Sequence, residues 1–174
     1  SSLRGNEYIV LSATPTLYDK NSLQEWDWED VNLLKESQGV RPHLKTDSIQ
    51  YNVIQTLVRQ DYDIVYDDDN AGEIADVITL KLIENEIHVE LYHLKFAHEG
   101  KITSQIANFY EVCGQAQKSA NWKYKEAEEM LNHLLRREIK KSSNGDECSR
   151  IYKGTHEKLI ELMKLAKRKL PVKY

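Results

Sequence analysis

Cysteine, proline and methionine are scarce in this chain: 2, 3 and 2 of 174 residues. Two cysteines exclude a disulfide framework, and Cys113 and Cys148 lack the paired spacing of a zinc site, so both read as free thiols. No apolar run approaches the ~20 residues that span a bilayer. The first residues carry neither the basic cluster nor the apolar stretch of a secretory signal, so cytoplasmic placement is the expectation. A glycine-rich Walker loop is also missing, which excludes an ordinary P-loop NTPase although Ser12-Ala13-Thr14 occurs in a helicase motif. What is present, 40% hydrophobic and 30% charged residues, suits one water-soluble domain with a real core.

The net charge of −4 conceals an asymmetry. Residues 1–93 hold 7 Lys and Arg against 18 Asp and Glu, and residues 94–174 hold 17 against 10. An acidic first half beside a basic second half suits a cation site next to a phosphate-binding surface; solvated helix faces rich in Lys and Glu produce the same count.

Periodicity places the elements. Glu7–Leu11 and Ile64–Tyr66 read as short strands, and Ser48–Arg59 as a helix with Ile49, Val53 and Leu57 inward and Asp47 as its cap. Further helices are expected over 102–120, 123–140 and 155–169, and Leu170–Tyr174 reads as the entry to another strand. Trp26 and Trp28 read as packing anchors. The turn-rich run Asp67-Asp68-Asp69-Asn70-Ala71-Gly72 has the acids for a cation but not the spacing of an EF-hand. No repeats occur.

The chemistry concentrates in a hairpin. In residues 73–83 and 87–96 the alternation puts Ile74, Asp76, Ile78, Leu80 and Leu82 on one face, and Ile87, Val89, Leu91, His93 and Lys95 on the matching face of the partner. Burying both sets together requires a tight connection at Glu84, Asn85 and Glu86, with Asn85 suited to positive φ, and sets residue 76 opposite 93 or 95. A carboxylate, an imidazole and an ammonium then meet where the apolar face ends. An acid opposite a lysine is a common basis for metal-dependent phosphodiester cleavage. It is equally the pattern of a cross-strand ion pair, worth a few tenths of a kcal/mol to about 1 kcal/mol.

This order of helix and three strands, an aspartate leading one strand, a His93-Leu94-Lys95 triplet closing its partner and a glutamine-bearing helix beyond, resembles the core of the PD-(D/E)xK nuclease superfamily over Asp47 to Trp122. The resemblance implies an α/β (α+β) fold of the restriction-endonuclease-like kind, with a mixed central sheet between helical layers. It also implies Mg2+ or Mn2+ as cofactor and nucleic acid, DNA rather than RNA, as substrate. Carried over by position, Asp76 matches the metal-binding aspartate, Lys95 the lysine that aids the attacking water, and His93 stands where the second acid is expected. Imidazole is a poor Mg2+ ligand, so Glu73 and Glu90 are the expected carboxylate donors beside Asp76 and His93, Glu90 only through a bulge. Asp47 and Gln50 stand near the first-helix acid. Gln115, Lys118 and Ser119 match the helix that supports the site or contacts DNA.

The implied organisation is an N-terminal extension (1–45), a nuclease-like core (46–122) and C-terminal helices (123–174), as a module of a larger bacterial defence or nucleic-acid-processing protein. Its partners would be nucleic acid and a second copy or fused domains. Two other readings stand beside it: a cleavage-incompetent domain of the same fold that binds nucleic acid or protein, and an unrelated interaction domain in which Asp76 and Lys95 merely pair.

Overall fold

The computed structural model describes residues 26–41, 43–96, 127–143, 149–168 and 171–173. The expected strand at Glu7–Leu11 and the helix over 102–120, with Gln115, Lys118 and Ser119, lie outside these residues.

The first helix, α1 (Ile49–Val58), turns Ile49, Val53, Ile54 and Leu57 inward at helical spacing. Its cap is Ser48, whose hydroxyl accepts the Tyr51 N–H at 3.2 Å. Asp47, the expected cap, instead pairs with Lys35; Ser48 has the extended backbone that aims its side chain at the free amides.

Strands β1 (Ile64–Asp67), β2 (Val77–Ile83) and β3 (Glu86–Tyr92) follow, then helix α2 (Ala127–Ser143), β4 (Ile151–Lys153), helix α3 (His156–Lys167) and β5 (Val172–Lys173). The sheet runs β4-β1-β2-β3-β5, antiparallel except for the β3–β5 pair. Its fold class is α+β, as expected. No element is expected from the sequence at 151–153; three residues carry too little alternation to register as a strand, and their pairing with the buried β1 decides the outcome. The C-terminal region thus supplies two sheet strands as well as helices.

Two apolar layers enclose the sheet. On one face Ile64, Tyr66, Ile74, Ile78, Leu80, Ile87 and Val89 pack against Met130, Leu131 and Leu134 of α2 and Leu159 and Leu162 of α3. On the other, Val65, Val77 and Leu94 pack against α1 with Trp26, Trp28 and Tyr62. The face deduced from the hairpin's alternation is therefore the one that α2 and α3 cover. Buried Tyr66 ties the layers, its hydroxyl donating to the Leu134 carbonyl at 2.8 Å.

The hairpin register follows Val77↔Tyr92 through Ile83↔Glu86, leaving Glu84 and Asn85 as a two-residue connection. Positive φ falls at Glu84 (53°) and not at Asn85. One step beyond the last pair, the same register sets Asp76 across from His93.

Candidate metal centre

Both strands stop short of their expected ends, and the reason builds the site. Carboxylates intercept the backbone amides that would have continued the ladder. The Leu94 N–H donates to Asp76 Oδ2 at 2.8 Å, and the Phe96 N–H to Glu36 Oε2 at 2.8 Å. On the approach to β2, the Ile74 N–H donates to Asp68 Oδ2 at 2.7 Å, while Glu73 N–H closes a turn on the Asn70 carbonyl. Glu73 to Asp76 therefore form a bent entry to the strand rather than its first four residues.

The three consecutive aspartates have three different surroundings. Asp67 turns inward, accepting from the amides of Gln38 and Gln50 at 3.1 Å each. Asp68 is wholly buried and meets Arg137 Nε at 2.6 Å. Burial pushes its carboxyl up to about 7, against the opposing pull of the Ile74 N–H and the Arg137 and Arg150 guanidinium groups. Asp69 reaches Ser37 Oγ at 2.5 Å and joins Glu73 and Asp76, the three offering carboxylate oxygens within 4.8 Å of one another. Glu73 Oε2 is steadied by the Asn70 N–H at 2.9 Å.

Of these three, Asp76 is buried at 5% exposure, whereas Asp69 and Glu73 are half-buried. Burial raises Asp76 to about 6; the Leu94 N–H opposes the rise, and the neighbouring charges of Glu73, Asp69 and Glu36 add to it. Two carboxylates that hold back the ionisation of a third suit a cation, and all-oxygen donors match hard divalent ions such as Mg2+, Mn2+ or Ca2+.

Around this cluster the expected residues fall as follows. His93 Nδ1 lies 3.9 Å from Asp76 Oδ2, and burial lowers the imidazole pKa, favouring its neutral form. Lys95 Nζ lies 3.4 Å from Glu36 Oε2 and 5.2 Å from the Phe96 ring centre. Glu90 is engaged elsewhere, accepting from Tyr62 Oη at 2.7 Å and Tyr92 Oη at 2.5 Å, so no bulge brings it to the cluster. Gln50 is spent on Asp67 and on the Gln38 N–H.

Two residues of the site escaped the sequence reading. Asp69 was visible only as one of three equivalent acids, and Glu36 sits in an irregular segment with no periodicity to flag it. A signal for Asp69 was available in retrospect: Asp69, Glu73 and Asp76, separated by four and three residues, bracket the turn residues Asn70 and Gly72, both at positive φ.

No family model, curated protein or solved structure was found to match the chain. Among the described residues, no helix is long and apolar enough to cross a membrane.

Proposed function

We propose that the chain is a divalent-metal-dependent nuclease module that hydrolyses phosphodiester bonds in DNA or RNA, with Asp69, Glu73 and Asp76 as metal ligands. The observation that carries this reading is the convergence of three carboxylates at the end of a hairpin, with His93 against Asp76 just past β3 and Lys95 two residues further on against Glu36. Asp69 supplies an oxygen donor that the His93 position lacks, so the site does not depend on imidazole as a magnesium ligand. When bound, a divalent ion would neutralise the scissile phosphate and acidify a water. The chain's own contribution is positional: Leu94 N–H orients Asp76, Asn70 N–H orients Glu73, and Lys95 is held by Glu36, whose charge acts on Asp76. The Lys95 ammonium, now held by Glu36, would be the group that orients the nucleophile or offsets developing negative charge.

Incubation of the chain with supercoiled plasmid, single-stranded DNA and RNA tests this, with Mg2+ or Mn2+ against excess EDTA. Nicking or cleavage that requires the cation and disappears in Lys95→Ala is expected; no turnover on any substrate with either cation refutes the nuclease assignment. One observation favours a second reading, a cleavage-incompetent binder of nucleic acid: the Glu36–Lys95 pair occupies the lysine that cleavage needs. Salt-sensitive binding without turnover would select it.

Proton and cation should compete at this site. Since folding raises Asp76 from 3.8 to about 6, its contribution to stability is fully present below about pH 4 and is lost as pH rises through 6. A cation takes the proton's place above that range. With Mn2+ at about 100 times its Kd, stabilisation of about 2.7 kcal/mol is expected at pH 7.5. Below pH 6, affinity should weaken by roughly tenfold per unit. Melting scans at pH 5 and 7.5 with and without Mn2+ check this; equal shifts at both would contradict a role for Asp76.

A further inference from the structure

The loop that presents Asp69 and Glu73 is gripped from behind by two arginines distant in sequence. Arg137 on α2 donates to successive carbonyls, those of Asp68 at 2.7 Å, Asp69 at 3.1 Å and Ala71 at 3.0 Å, while its Nε faces the Asp68 carboxylate at 2.6 Å. Arg150, at the entrance to β4, donates to the carbonyls of Asp67 at 2.9 Å and Asp69 at 3.0 Å. Its own backbone is fixed in turn, the Arg150 N–H donating to buried Glu138 of α2 at 2.7 Å and its carbonyl accepting the Asp67 N–H at 2.9 Å.

This pattern has a directional consequence. A loop of four acids in seven residues (67–73) repels itself, and its carbonyls would add to the crowding were they turned toward the carboxylates. Drawing the carbonyls of Asp67, Asp68, Asp69 and Ala71 onto two guanidinium groups commits the backbone to one side. Asp69 Oδ and Glu73 Oε are then presented together with Asp76. Asp68, buried at the hub, couples the arrangement to the strand entry through the Ile74 N–H, two residues before Asp76.

We infer that Arg137 and Arg150 are positioning residues for the cation: they touch neither the ion nor the substrate, but set the site's affinity by clamping the 67–72 loop from the C-terminal half of the chain. The inference rests on the metal-site reading above. It requires the forked, planar guanidinium and not merely a positive charge, because one group must satisfy several carbonyls and a carboxylate at fixed angles.

The test is Mn2+ binding to the full chain, followed by titration calorimetry and by the loss of the free-ion paramagnetic resonance signal, for wild type, Arg137→Lys, Arg150→Lys and, as a control, Arg136→Ala on the exposed side of α2. Each lysine variant should weaken Mn2+ binding by about 10- to 100-fold, as outer residues that orient metal ligands do. Both should still unfold cooperatively without the ion, and Arg136→Ala should bind as wild type. Wild-type affinity in both lysine variants overturns the positioning role while leaving the metal site standing. Absence of Mn2+ binding in wild type overturns the metal site, and the inference with it. Should one lysine variant fail to fold, the other decides.

Discussion

Gly154→Ala should lower the unfolding free energy by about 3 kcal/mol, the largest loss expected from an added methyl among the described glycines. Gly154 follows β4 at φ +86°, in the left-handed region, where an L side chain costs roughly 1–2 kcal/mol. An added Cβ would also stand 2.2 Å from the Asp63 carbonyl and 2.6 Å from the Ile64 side chain. Both obstacles are fixed: Asp63 N–H is bonded to the Leu80 carbonyl, and Ile64 is wholly buried. Relief must come from displacing β4 or β1, at the typical overpacking cost of about 1–3 kcal/mol. Gly39 provides the comparison, with positive φ but its nearest neighbour at 3.6 Å, so Gly39→Ala should cost only the backbone contribution. Urea unfolding of both variants checks this; equal losses would show that the close approach at Asp63 is unimportant. Against a net stability of about 5–15 kcal/mol for an ordinary domain, the Gly154 loss is visible in any assay.

Asp76→Asn should separate function from stability, with opposite signs. The amide keeps an oxygen for the Leu94 N–H and keeps the side chain's size, but brings no charge to the cluster. Cation affinity should fall at least about 100-fold, more than is lost when a residue that only orients a ligand is changed. Cation-dependent cleavage should vanish with it. The empty protein, by contrast, should be as stable as wild type at pH 7.5 or more so, by about 1–3 kcal/mol, because burial and the Glu73, Asp69 and Glu36 charges make the ionised Asp76 unfavourable there. Calorimetric Mn2+ titration and thermal unfolding of the same sample test both halves. A variant that lost stability and kept its affinity would mark Asp76 as a structural residue.

The sheet-forming hairpin was legible from the sequence because a period of two is a strong signal when both strands bury one face. Ile78, Leu80, Ile87 and Val89 narrowed the position opposite Asp76 to 93 or 95, and the observed register sets it at His93. Helix α1 was legible by its 3.6-residue stripe, and α3 by the same periodicity, its observed N-cap being Thr155. What could not be read depends on contacts between distant residues. Nothing local distinguishes Asp69 from Asp67 and Asp68; the distinction is made by Gln38 and Gln50 on one side and by Arg137 and Arg150 on the other. Glu36 was hidden for the same reason, since its relevance comes from Phe96 and Lys95, some sixty positions away. The early end of β3 was equally invisible, because side-chain acceptors took the place of a neighbouring strand. Strand β4 was lost through brevity.

The run of three aspartates carries a final implication for comparing this chain with others. Each acid has a separate assignment: an inward anchor, a partner for arginine and a candidate ligand. Moving the run by one position would leave length, isoelectric point and acidic character unchanged while handing every carboxylate the wrong task. A relative should therefore be judged by whether it keeps the third acid of the run, the glutamate four places on and the arginine that receives the second. Two sequences equally rich in acids here would otherwise pass as equivalent, though one could lack the site entirely.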